Sequence, residues 1–113
     1  MALDKSYHVR KNAEIETIMK RKDTVGDQFF VVYRFDNPAS SHFRFAISVS
    51  KKYGNAVERN RMRRRIREII GKEPLKSGID FFIVVKTASY PLLFAEIALD
   101  LHKLFARAKI IEV

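Results

Sequence analysis

The chain has 113 residues and no cysteine, enough for one domain spanning 1–113 with a single core, and it excludes a disulfide framework or a thiolate metal site. Hydrophobic residues make up 47% of it, which argues against a basic disordered tail, while 22 Lys+Arg against 13 Asp+Glu leave a net charge of +9, the footprint of a polyanion binder. No apolar run approaches the roughly 20 residues of a membrane span and the N-terminus lacks a signal-peptide core, so a soluble, cytoplasmic protein with no membrane partner is expected.

Residues 1–11 read as irregular. Asn12 can cap a first helix over 13–21, in which Ile15, Ile18 and Met19 fall at i, i+3 and i+4 and form a small apolar face. Gln28 to Asp36 is rich in aromatic and β-branched residues and reads as a strand, with Phe29, Val31, Tyr33 and Phe35 on one face and Phe30, Val32, Arg34 and Asp36 on the other. A loop over 37–42 leads to a second strand, Phe43 to Ser50, and the short connection predicts an antiparallel hairpin between the two.

Lys51, Lys52, Tyr53 and Gly54 then turn the chain into the stretch that distinguishes it. Arg59, Arg61, Arg63, Arg64, Arg65 and Arg67 put six arginines in nine residues. Asn55 with Glu58 three positions later makes a capping box available, and Gly71 is the expected stop, so the helix is placed at Ala56 to Ile70. Met62, Ile66, Ile69 and Ile70 form one apolar stripe, which points Asn60, Arg64 and Arg67 outward with Arg61 and Arg63 on the flanks. Like charges at this spacing repel by a few tenths of a kcal/mol per pair, and Glu58 and Glu68 are expected to offset part of that.

Ile79 to Lys86 reads as a central strand buried on both faces, and strand–helix–strand implies a parallel crossover. Ser89 and Pro91 are expected to open a last helix with Phe94, Ile97, Leu101, Leu104, Phe105 and Ala108 as its core stripe. The order α-β-β-α-β-α predicts an α+β two-layer sandwich, helices packed on a small mixed sheet.

Residues that could carry catalysis do not assemble. His8, His42 and His102 are far apart, Thr87 and Ser89 have no companion base, and Gly54, Gly71 and Gly78 occur singly rather than in a phosphate loop. Glu96 and Asp100 share a helix face at i, i+4 but read as its solvated side. Binding is better supported, because an arginine fork takes phosphate oxygens bidentately and stacks on bases. Six phosphate contacts would give a log–log salt slope of about −4 to −5. Tyr33 could stack an unpaired base for about 1–3 kcal/mol, whereas Phe29 and Phe35 are expected in the core.

Ser48-Val49-Ser50-Lys51-Lys52, Gly54-Asn55-Ala56-Val57 and Arg59-Asn60-Arg61, followed by Arg64 and Arg67, resemble the signature of the protein subunit of bacterial ribonuclease P, in a likeness covering nearly the whole chain. That resemblance implies a ribonucleoprotein endoribonuclease in which a catalytic RNA subunit, with Mg²⁺ bound mainly by RNA and substrate, removes the 5′ leader of precursor tRNA. No catalytic or metal-binding residue would then lie in the protein, and no obligate protein partner is implied. Lys51, Lys52, Arg59, Asn60, Arg61, Arg63, Arg64 and Arg67 would contact the RNA subunit, and Ile15, Met19 and Tyr33 would line a cleft for the leader. Family members often carry phenylalanine at the positions of Ile15 and Met19, which here would supply an apolar wall. A ribosomal-protein-like sandwich with a left-handed β-α-β crossover is also implied, against the usual right-handed rule. From the residues alone, a structural RNA-binding protein such as a ribosomal component or RNA chaperone is the alternative.

Overall fold

The computed structural model describes Tyr7 and residues 23–112. The expected helix over 13–21, with Ile15 and Met19, lies outside them. The described elements are β1 (Thr24–Gly26), β2 (Phe30–Asp36), β3 (Arg44–Val49), α1 (Ala56–Lys72), β4 (Ile79–Val85), a short 3₁₀ turn (Thr87–Ser89) and α2 (Phe94–Arg107). They form an α+β fold, a small mixed four-stranded sheet carrying two helices.

The sheet order is β1-β2-β4-β3. β4 pairs antiparallel with β2 and parallel with β3, so the expected β2–β3 hairpin does not form: β4 lies between them. The reason is hydrophobic. Phe81, Ile83 and Val85 on one face of β4, and Phe82 on the other, are all at most 7% exposed, a requirement that only a central position meets. The parallel β3–α1–β4 crossover is as expected. β1 was not anticipated, because three residues are too few for a periodic signal. It is held by an antiparallel register of Thr24 with Tyr33 and Gly26 with Val31. The turn beyond it is built by Asp27, whose carboxylate accepts the N–H groups of Phe29 (2.8 Å) and Phe30 (3.0 Å), which is why β2 begins at Phe30 rather than Gln28.

Both described helices cover one side of the sheet. Phe30 and Val32 of β2, Phe45 and Val49 of β3, and the inward face of β4 pack with Met62, Ile66, Ile69 and Ile70 of α1 and Ile97, Leu101, Leu104 and Phe105 of α2. α1 therefore buries the stripe its periodicity predicts. At about 1.5–3 kcal/mol per large aliphatic side chain, that burial outweighs arginine–arginine repulsion of tenths of a kcal/mol.

α1 begins where expected, with Glu58 N–H on Asn55 Oδ1 and Asn55 N–H on Glu58 Oε1, both at 2.9 Å. It does not end at Gly71. The helix runs through Gly71 to Lys72 and stops because Pro74 holds Glu73 in extended geometry (φ −87°, ψ 144°). α2 likewise starts later than expected. Ser89 is buried in the 3₁₀ turn, its hydroxyl donating to Lys86 O at 2.7 Å, and the helix opens at Phe94 with Glu96 Oε1 accepting the Leu93 N–H at 2.8 Å. Phe94, expected in the core stripe, is 36% exposed. The C-terminus of α2 closes on Lys109 in the left-handed region (φ 59°), with Ile110 N–H returning to Phe105 O and Lys109 N–H to Ala106 O. Arg34 adds its guanidinium to Ala108 O at 2.9 Å, placing positive charge at the negative end of the helix.

Candidate nucleic-acid interface

Because the apolar stripe of α1 faces the sheet, its other side points away from the protein. Asn60, Arg61 and Arg64 are exposed, while Arg59, Arg63, Arg65 and Arg67 are half-buried along its flanks. Arg63 Nη1 donates to Asn60 Oδ1 at 3.0 Å, which ties that asparagine side chain into the arginine row. The guanidinium groups of Arg59, Arg61, Arg64, Arg65 and Arg67 make no ion pair or hydrogen bond among the described residues. The expected partial compensation by Glu58 and Glu68 is limited: Glu68 pairs with Lys72 at 3.5 Å, and Glu58, although it feels the Arg61 charge, is bonded to Asn55 and to the Tyr90 hydroxyl. Lys51 and Lys52, exposed in the turn ahead of the helix, extend the positive surface toward β3. The result is a rigid cationic face with most of its guanidinium donors uncommitted, suited to phosphate oxygens.

A second surface lies on the side of the sheet away from the helices. The β2–β4–β3 register sets Tyr33 opposite Phe82 and Phe82 opposite Ala46, with Val31, Val84 and Ser48 in the next row. Phe82 and Ala46 form a small apolar cluster against which Tyr33, Phe35 and Val84 pack. The Tyr33 and Phe82 rings lie 6.1 Å apart with planes tilted by 43°. Tyr33 thus stands half-buried on the sheet face opposite the described helices with Phe35 beside it, whereas Phe29 turns to the other side and joins the main core. Ile15 and Met19, the other expected members of this cleft, are outside the described residues.

One end of that face is fixed by a charged cluster that composition did not reveal. Arg44 grips Asp80 with Nε to Oδ1 at 3.0 Å and Nη2 to Oδ2 at 2.6 Å, and Asn37 Nδ2 adds a bond to Oδ2 at 3.2 Å. The Asp80 side chain is 4% exposed, so removing Arg44 would strand a buried carboxylate at a cost of about 3–5 kcal/mol. Gly78 (φ 73°) makes the turn that presents Asp80, in a conformation open to glycine at little cost.

Glu96 and Asp100 do not act as a pair: Glu96 caps α2, and Asp100, expected on the solvated side, is half-buried and meets Asp27 from the β1–β2 turn. Asp100 Oδ2 is enclosed and has no hydrogen-bond partner. Burial, then the bond and charge of Asp27, push the Asp100 carboxyl up to about 6. Burial opposes ionisation of Asp27 too, but its bond with Asp100, the N–H groups of Phe29 and Phe30 and the Lys86 charge outweigh it and hold Asp27 below the usual carboxylate range. His102 Nδ1 lies 3.0 Å from Glu73 and His42 Nδ1 2.7 Å from Phe43 O, so both have structural partners. Among the described residues no group of three or more His, Asp or Glu side chains could hold a metal ion. No described helix is long and apolar enough to cross a membrane.

The family model for Ribonuclease P matches residues 3–109. The chain is similar to the ribonuclease P protein component of Limosilactobacillus reuteri, with 37% identity over 110 residues that cover 96% of this chain and 94% of the relative. Among solved structures it is similar to the RNase P protein of Staphylococcus aureus, with a TM-score of 0.87 and 34% identity, covering 96% of this chain and 100% of that one. The RNase P protein of Thermotoga maritima, 24% identical with a TM-score of 0.80, covers 94% of this chain and 98% of that one and shares the fold.

Proposed function

The chain belongs to the Ribonuclease P protein family, whose members are the protein subunit of a ribonucleoprotein endoribonuclease of tRNA processing, and we propose that its two surfaces divide the work of that subunit. The arginine face of α1, with Lys51 and Lys52, docks on the RNA subunit. The open sheet face around Tyr33 receives the single-stranded 5′ leader of precursor tRNA, with Ile15 and Met19 contributing apolar wall. The observation that carries this reading is the capped helix whose arginines, apart from the bond of Arg63 to Asn60, remain uncommitted after folding. Uncommitted donors on a rigid element bind phosphates without first breaking internal ion pairs, so the Coulomb gain is not spent on rearrangement.

In this division the protein's own residues bind and orient. Arg59, Arg61, Arg63, Arg64 and Arg67 take phosphates of the RNA subunit, and Asn60, held by Arg63, is positioned to read an adjacent sugar or base edge. Tyr33 presents a ring and a hydroxyl to an unpaired base. Mg²⁺ would be held mainly by the RNA subunit and substrate, where it would supply the metal-dependent chemistry of cleavage, and no residue of this chain is assigned to it. The place of action is the cytoplasm.

A reconstitution assay tests the reading. Protein alone should leave precursor tRNA intact, and with ribonuclease P RNA it should restore leader removal at low Mg²⁺. Tyr33→Ala should weaken binding of substrates that carry a leader by about 5- to 100-fold, the value of one stacked base, and leave mature tRNA binding unchanged. Specific cleavage by the protein without RNA would reject the assignment of roles, and equal loss on mature tRNA would remove Tyr33 from the leader site.

A further inference from the structure

The start of α1 carries a feature that the arginine row does not explain. The chain leaves β4 through the 3₁₀ turn Thr87–Ser89, and Tyr90 follows it, 52% exposed although it is a large aromatic residue. Its hydroxyl donates to Glu58 Oε2, and its ring meets buried Tyr53 with centroids 5.3 Å apart and planes at 58°. The ring is therefore clamped at its edge and at its tip while half of its surface stays open. Beside it is a small cavity of about 150 Å³, lined by Tyr53, Glu58, Arg61, Met62, Arg65 and Tyr90. Arg61 and Arg65 contribute two positive charges there and make no ion pair among the described residues. The Glu58 carboxylate is consumed by Tyr90 and by the Asn55 N–H, which hold it below its usual range. Two guanidinium groups against one engaged carboxylate leave the recess cationic.

A fixed, half-open aromatic ring next to two free guanidinium groups is the combination that holds one unpaired nucleotide, base on the ring and phosphate on the forks. A flexible exposed tyrosine would lose rotamer freedom on stacking, whereas this one has already lost it on folding. We propose that Tyr90, with Arg61 and Arg65, forms a second RNA-contact site that stacks an unpaired base of the ribonuclease P RNA, extending the α1 face onto the segment between β4 and α2. The inference rests on the reading of α1 as the surface for the RNA subunit. That occupant, rather than the leader, follows from position: Arg61 belongs to the outward face of α1, and Tyr33 lies across the sheet from it.

The test measures the dissociation constant of the protein–ribonuclease P RNA complex, without and then with precursor tRNA, across a series of salt concentrations, for wild type, Tyr90→Phe, Tyr90→Ala and Arg65→Ala. Tyr90→Ala should weaken binding by about 5- to 100-fold with an unchanged salt slope, since an uncharged stack releases no counterion. Tyr90→Phe keeps the ring and loses only the bond to Glu58, so it should bind within about twofold of wild type, and Arg65→Ala should weaken binding and reduce the slope by about one. Equal loss in Tyr90→Phe and Tyr90→Ala would make Tyr90 a structural latch and overturn the proposal. So would wild-type affinity in Tyr90→Ala, or a loss that appears only when precursor tRNA is present. Failure of the wild-type protein to bind the RNA would instead reject the underlying reading of α1, and this site with it.

Discussion

Asp100 illustrates how much a single side chain depends on what packs over it. In its own helix it stands one turn from Glu96, both apparently facing water, yet the β1–β2 turn brings Asp27 against it and Oδ2 is left enclosed without a partner. Its carboxyl titrates near 6 against an ordinary 3.8, so the folded state holds a proton that the unfolded chain has released. The Asp100 contribution to stability is thus fully present below about pH 3.8 and is lost as pH rises through 6. Asp27 runs the other way, contributing above its ordinary value and losing that contribution as pH falls through its depressed folded value. Asp100→Asn retains an amide donor for Asp27 and removes the buried charge. It is expected to raise the melting temperature at pH 7.5 by about 4 °C, corresponding to about 1 kcal/mol after allowance for solvent screening, with the gain vanishing near pH 4. A variant less stable than wild type at pH 7.5, measured by thermal unfolding, would contradict this account.

The arginine helix was legible before the fold was known because every signal in it is local. Cap, stripe and charge face all lie within 17 residues, and the capping box and buried Met62, Ile66, Ile69 and Ile70 follow directly from their spacing. Its end was less legible: Gly71 and Pro74 both signal a stop, and the proline prevails because the residue before it cannot stay helical without a clash, while Gly71 is merely tolerated inside the helix. Asn55→Ala removes the Glu58 N–H acceptor and should cost about 1 kcal/mol, seen as a fall of about 4 °C in melting temperature. Gly54 belongs to the same device. A methyl group there would come within 2.6 Å of Glu58 Oε1, so a side chain at Gly54 would displace the carboxylate that closes the cap and holds Tyr90.

Among the described residues, both helices occupy one side of the sheet, and two regions of different chemistry stand apart, a cationic face on α1 and an aromatic cluster of Tyr33 and Phe35 against buried Phe82 on the other side of the sheet. Their separation allows each to be tested alone. Arg64→Ala on the outward side of α1 and Arg67→Ala on its flank should weaken assembly with the RNA subunit and together flatten the log–log salt slope by about 1.4–1.8, while the melting temperature stays within about 2 °C of wild type. Unchanged affinity in a salt-dependent binding titration would exclude this face as the docking surface.

Composition, spacing and capping determined the longer described elements of this protein and the buried stripe of α1, since a period of two or 3.6 residues and a cap are properties of short stretches of chain. The order of the strands was beyond their reach. Two apolar strands joined by a short loop satisfy every local rule for a hairpin, and β2 and β3 are separated only because β4 carries large apolar side chains on both faces and must lie between them. The same long-range step paired Arg44 with Asp80, Asp27 with Asp100 and Tyr90 with Glu58, contacts between residues at least 32 positions apart. Periodicity states that a face will be covered, and the competition among all the elements for burial decides by what.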